Sequence, residues 1–313
     1  MPKPFMTYDE QLQKLRDKNL QIRDEAAARD ALRRIGYFSL ITGYKDLFKN
    51  PTTKNYRDGT DLQDILSLYR FDEQLRELTL RYLLHIEQLI RSEISYAFCA
   101  LFGEKQEAYL SAQNYCSKSG RCREIEILIQ KHLRPLLDQR TDYPYIEHCK
   151  QRYGNVPLWV LVKALPFGTV SKMYALAKPQ VQAAISRDIP CVNERQLGQM
   201  LQVLTVYRNV CAHGERLFSY RSARKDISDL PIHAELGIAR KGAQYLQGKR
   251  DYFGVAICFL YLLPAHEFQA YKESLAQLLE KAAGQNQQLE KGALLCSMGM
   301  PVHWEQMDQY APH

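Results

Sequence analysis

The sequence lacks any apolar run long enough to span a bilayer. The stretch Gly254 to Leu263 is about half of the ~20 residues required, so it reads as a buried helix and no membrane association is expected. Residues Met1 to Tyr8 hold no apolar signal core. Cysteine pairing is also missing. The eight cysteines (Cys99, Cys116, Cys122, Cys149, Cys191, Cys211, Cys258, Cys296) include no Cys-x-x-Cys pair, and no Cys/His cluster has zinc spacing, so no metal is expected. Scattered thiols fit a reducing, cytoplasmic setting. There is no Gly-rich phosphate loop, no Ser/His/Asp elbow and no HExxH, and no cofactor is expected. Alternating strand patterns are few, and tandem repeats and low-complexity segments are absent.

What is present is helical periodicity, and the class is read as all-α. Thr7 and Glu10 form a capping-box pattern ahead of Leu12 and Leu15. A second helix is expected from Asp24 to Ile35, closed by Gly36, followed by an aromatic stretch with Tyr37, Phe38 and Tyr44. From Leu62 to about Leu101 apolar residues recur every three or four positions with no Gly or Pro, which suggests a bundle spine. The reading divides the chain into an N-terminal helical segment (1–60), the long core helix (61–102), a loop-rich basic insertion or lid (103–155), a helical core (156–285) and a tail (286–313). Within the core, helices are expected from Asn193 to the motif described next, over Ile232–Gln247, over Tyr252–Leu262 and over Glu267–Ala283.

Charge is clustered. Lys and Arg outnumber Asp and Glu by 42 to 35, a net +7. Between Lys118 and Arg152 there are eight basic and five acidic residues, among them Lys118, Arg121 and Arg123. Between Arg208 and Lys225 there are five basic residues (Arg208, Arg216, Arg221, Arg224, Lys225) and one acidic. Each stretch reads either as a solvated basic face or as a surface for RNA phosphates.

The second cluster includes Tyr207-Arg208-Asn209-Val210-Cys211-Ala212-His213-Gly214, which ends an apolar helical run. Arginine can bind a phosphate through paired hydrogen bonds, and histidine can move a proton near neutral pH. Arg208, Asn209 and His213 are therefore candidate catalytic residues for cutting RNA; a structural histidine at a helix end is the plain alternative. Asn209 and His213, four apart, share a helix face, whereas Arg208 lies roughly 140° from His213 on an ideal helix. Gly214 offers a helix end that could bring them closer. Transfer of two protons by one histidine is awkward, and a symmetric dimer supplies a second copy. Glu87 and Arg91 form an i,i+4 pair, either a plain ion pair or a support for the motif helix.

Several segments, in order along nearly the whole chain, resemble the AbiD/AbiF abortive-infection proteins. They are Lys3-Pro4-Phe5-Met6-Thr7-Tyr8, Ile35-Gly36-Tyr37-Phe38 with Gly43-Tyr44, Tyr69-Arg70-Phe71-Asp72 with Leu75-Arg76, Ile86-Glu87 with Arg91, Pro157-Leu158-Trp159, Phe167-Gly168, Arg208 to His213 with Arg216-Leu217, and Met298-Gly299-Met300-Pro301 with Trp304. The resemblance implies a helical bundle of HEPN type, related to type VI CRISPR effector nucleases. It implies anti-phage defence by growth arrest or death of the infected cell, through a metal-independent ribonuclease in which Arg208 and His213 are catalytic and Asn209 assists. It also implies a homodimer and a small noncoding RNA partner. The chain departs from the pattern at Gly214, where many relatives carry a second histidine. Two other functions remain open: a non-catalytic RNA-binding protein that scaffolds a structured noncoding RNA, and a helical protein-interaction module that senses phage.

Overall fold

Local capping signals start the first helices. In the computed structural model, which describes residues 4–117 and 120–310, Thr7 and Glu10 form a reciprocal capping box at the start of α1 (Tyr8–Arg16). The Asp24 side chain accepts the Ala27 amide at the start of α2 (Glu25–Ile35). Asp61 and Asp64 form a second box at α3 (Leu62–Phe102), which runs 41 residues, about 60 Å. There follow α4 (Pro144–Tyr153), α5 (Phe167–Leu176), α6 (Pro179–Arg187), α7 (Glu194–Ala212), α8 (Tyr252–Leu262), α9 (Ala265–Gln285) and α10 (Lys291–Met298). The fold is all-α. Among the described residues the one sheet is a two-stranded hairpin, Arg240–Lys241 against Gln244–Tyr245.

The spine is α3. Helices α6, α7 and α9 pack along it, and α7 is also covered by α5 and α8. All eleven residues of α8 are buried, which accounts for its unbroken apolar sequence. A chain of hydroxyls crosses this core: Tyr271 donates to Tyr252 at 3.0 Å, and Tyr252 lies 2.9 Å from the Thr79 hydroxyl of α3. Each polar atom is thereby partnered where water cannot reach it. No helix among the described residues is long and apolar enough to cross a membrane.

Three segments differ from expectation. The stretch expected as a loop-rich insertion with one helical segment near Arg123 to Leu137 has that segment, as a contiguous run of Cys122–Ile127, a π-helical turn at Leu128–Leu133 and Arg134–Asp138, and adds a short helix at Gln106–Leu110 and α4. It contributes Tyr109, Tyr115, Leu128, Leu133 and Ile146 to the common core. Gln106–Leu110, at five residues, holds too few turns to display a period. The helix expected over Ile232–Gln247 extends only over Pro231–Glu235 and gives way to the hairpin. There Tyr245 stacks on buried His233, with ring centroids 4.9 Å apart, and the Arg240 guanidinium lies over the Tyr245 ring, 4.0 Å from its centre. The stretch expected as a tail forms, among its described residues, α10 and a 3-10 helix, Trp304–Tyr310, with Trp304 and Met307 buried.

Gly299 fixes that tail. It ends α10 in the left-handed region, at φ +72°, and a Cβ there would lie 2.3 Å from the Cγ of Asp251. Asp251 is buried and caps α8, accepting the amides of Gly248 and Gly254; burial raises its pKa to about 6. The Asp251 side chain therefore has little room to retreat. Gly299→Ala is expected to lose about 3 kcal/mol or more, through backbone strain and overpacking together. Thermal unfolding checks this; a variant as stable as the parent would show that the tail docks more loosely.

Candidate functional site

The site begins at the C-terminus of α7. Asn193 and Gln196 start this helix with a capping box. At the other end the amide of His213 donates to the Asn209 carbonyl at 2.9 Å, that of Gly214 to Cys211 at 3.2 Å and that of Glu215 to Val210 at 3.0 Å. These bonds form a Schellman motif, which needs a left-handed residue just past the helix; Gly214, at φ +66°, takes that place. A histidine at 214 would be strained there. His213 is the C-cap and is exposed, as is Asn209.

Beyond the cap the chain doubles back and is fixed to α3 by a buried carboxylate. Asp72, 0% exposed, accepts the amide of Leu217 at 2.9 Å and that of Phe218 at 2.6 Å. It also accepts the Tyr44 hydroxyl at 2.7 Å and the Arg76 guanidinium at 2.7 Å. Burial pushes the Asp72 carboxyl above the usual range, while these four donors favour the anion. Arg76 also reaches the Glu215 carbonyl at 3.3 Å. Farther along, the Tyr207 hydroxyl meets the carbonyls of Tyr220 at 2.9 Å and Arg250 at 2.8 Å. The strap after the motif is thus pinned to α3 and α7. The Cys211 thiol, inside the motif, is pushed up to about 12 by burial, so it holds its proton at neutral pH.

Arg208 faces a different part of the molecule. Its Nε lies 3.5 Å from an oxygen of Glu87, which is 2% exposed on α3. At that separation the contact is a charge contact without a hydrogen bond, and both atoms are buried without another partner. The other Glu87 oxygen lies 2.5 Å from Arg91, which in turn donates to the Leu165 carbonyl at 2.7 Å. One carboxylate therefore serves two guanidiniums and leaves one positive charge in surplus. The Glu87–Arg91 pair is present, and Glu87 also supports Arg208. The Arg208 side chain is 34% exposed, and its terminal nitrogens make no protein hydrogen bond among the described residues.

A cavity of about 870 Å³ opens beside the end of α7. Asn209, His213 and Arg216 line one wall; Arg34, Phe38 and Tyr69 line the other. Arg208 is not part of it. Helix geometry accounts for this: four residues bring Asn209 and His213 to one face, and Arg208 points away. The helix ends at Gly214 but leaves Arg208 outside the cavity. Among the other predicted RNA-binding residues, only Arg216 lines the cavity, and it donates to the Gly43 carbonyl on the opposite wall. Arg221, Arg224 and Lys225 are exposed, and Lys225 donates to Gln202 at 2.7 Å. Arg121 donates to the Ala175 carbonyl near the end of α5, and Arg123 is exposed. Lys118 lies outside the described residues.

The sequence reading missed Arg34 and the clamp at Asp72. Both lie more than 130 residues from the motif, so no local period or spacing connects them to it. The glycine and aromatic residues at 36–38 were the nearest signal of a special turn, and Phe38–Thr42 is a π-helical turn, a form common at functional sites.

A family model described as Abi-like protein matches residues 30–219, well over half of the chain. That span includes both walls of the cavity, α3, α7 and the clamp. No curated protein and no solved structure matches the chain.

Proposed function

The chain belongs to the Abi-like protein family, and from that premise we propose that it is an anti-phage abortive-infection protein of bacteria, acting as a metal-independent endoribonuclease of HEPN type. In this reading it works as a homodimer and associates with a small noncoding RNA. The observation that carries the reading is His213, exposed at the end of α7 beside Asn209 and opening on a cavity with arginines on both walls.

The chemistry requires no group beyond these side chains. The RNA 2′-oxygen attacks the adjacent phosphorus, a P–O bond forms to it, and the bond from phosphorus to the 5′-oxygen breaks. One imidazole removes the 2′-hydroxyl proton and another, as imidazolium, protonates the leaving oxygen. Guanidinium groups stabilise the charge that develops on the phosphate. Within one chain Arg208 and His213 face different surfaces, which supports a cleft where Arg208 of one subunit meets His213 of another.

Metal removal tests the mechanism. RNA incubated with the purified protein in excess EDTA is expected to be cut as fast as with magnesium, leaving 2′,3′-cyclic phosphate ends. A strict metal requirement, or products ending in 3′-hydroxyl, would overturn it. The separation of Arg208 from His213 also favours one alternative, a non-catalytic protein that scaffolds RNA. In that case RNA co-purifies uncut and the wild-type protein shows no cleavage.

A further inference from the structure

Phe38 has no evident role in the fold. It is 73% exposed, although its neighbours Leu40 and Ile41 are buried in the core. It opens the π-helical turn Phe38–Thr42 and lines the same cavity as His213 and Asn209. An apolar ring held in water gains nothing for stability, and here it faces a concave site. The turn that carries it is anchored: Tyr44, just past its end, donates to Asp72, and Arg216 ties Gly43 to the motif strap. The backbone that carries the ring is thus tied to the strap that follows His213.

The remaining lining suits a nucleotide. The cavity volume lies in the range that holds a small ligand. Arg34 and Arg216 line it beside one carboxylate, Glu215; Arg34 Nε donates to Asp30 at 2.7 Å and Arg216 to the Gly43 carbonyl, so each guanidinium offers a phosphate its other nitrogens. Tyr69 and Tyr220, both half-buried, also line it. An aromatic platform with guanidiniums beside it is the arrangement that binds single-stranded nucleic acid, because every base has a face to stack and every linkage a negative charge. A paired base has both faces covered and its groove edge turned away, so it cannot reach such a platform without leaving the duplex.

We propose that Phe38 is a base-stacking platform that holds one unpaired nucleotide of the RNA beside His213, making the site selective for single-stranded RNA. Phe38 acts by binding and by placing the adjacent phosphate; it moves no proton. The proposal rests on the RNA reading of this site, but not on cleavage. Arg34 and Arg216 bind the phosphates on either side of the stacked base.

The probe is an eight-nucleotide, fluorescein-labelled 2′-O-methyl RNA, which lacks the attacking hydroxyl and stays intact. Its affinity is measured by anisotropy at fixed salt, since phosphate contacts make affinity salt-dependent. The full-length protein is expected to bind the single strand at least tenfold more tightly than the same sequence in a duplex. Phe38→Ala is expected to weaken single-strand binding about tenfold, and Phe38→Trp to stay within about twofold of the parent. Because Phe38 is exposed, both variants keep the parent's unfolding midpoint. Phe38→Ala binding as tightly as the parent, or equal affinity for single strand and duplex, overturns the proposal. Weakened binding by Phe38→Ala in a protein that never cuts RNA would leave the platform standing and remove only the nuclease reading.

Discussion

His213→Ala is expected to abolish RNA cleavage and the toxicity that follows from it, while the protein folds and assembles like the parent. The side chain is exposed at the cap of α7, and the Schellman bonds at that end are made by backbone amides and by Gly214, not by the imidazole. Removing the ring therefore takes away a proton carrier and little else. Arg208→Ala is expected to be equally inactive. The two inactive variants together distinguish a composite site from a simple one. If Arg208 of one subunit works with His213 of the other, mixing them forms heterodimers with one complete pair. Half of the dimers would be mixed, and each would bring one Arg208 to one His213 but lack the second imidazole, so activity returns only in small part, well below the quarter that counting pairs alone gives. Any cleavage regained on mixing would place the working pair across two subunits, and cleavage that persists in His213→Ala would remove the histidine from the chemistry altogether.

The parts of this fold that are legible in the sequence are those whose physics is local. Thr7 with Glu10, and Asn193, mark helix starts because a capping box spans four residues. Gly214 marks a helix end because only the last turn and the next residue set that bond pattern. The separation of Arg208 from His213 follows from the turn angle alone. The partners of these residues are legible only in part: the Glu87–Arg91 spacing offered a support for the motif helix, without saying which residue it meets. Nothing at 208 indicates that its guanidinium will face Glu87, 121 residues earlier, because that contact comes from the packing of α7 on α3. The opposite wall of the cavity comes from residues 34–44, which lie next to the motif only after α3 has folded under both. Trp304 shows the same limit at the C-terminal end: it sits in a short polar stretch that looks like a tail, yet its ring is fully buried.

The largest expected loss of stability is at Asp72, because four donors converge on one carboxylate from three parts of the chain. Asp72→Ala would leave Arg76, whose side chain is 8% exposed, as a buried charge without its partner. It would also leave the amides of Leu217 and Phe218 and the hydroxyl of Tyr44 without an acceptor. Breaking a buried pair in this way costs about 3–5 kcal/mol, measurable as a shift in the urea midpoint. The double variant Asp72→Leu with Arg76→Leu separates two accounts of that loss. If the ion pair itself were the stabilising element, replacing both charges with apolar groups would restore most of the stability. If the carboxylate serves mainly to hold the strap, the double variant stays destabilised, since the two amides are still unpartnered. The second outcome is expected, because the strap has no other acceptor at Leu217 and Phe218 among the described residues. Hydrogen exchange should then show those two amides losing protection before the rest of α3 and α7 opens, and RNA cleavage falling with them, because the strap holds Arg216 and the cavity wall beside His213. Amides at 217 and 218 that stay protected in Asp72→Ala would mean that the strap is held by packing of Leu217 and Phe218 and not by the carboxylate.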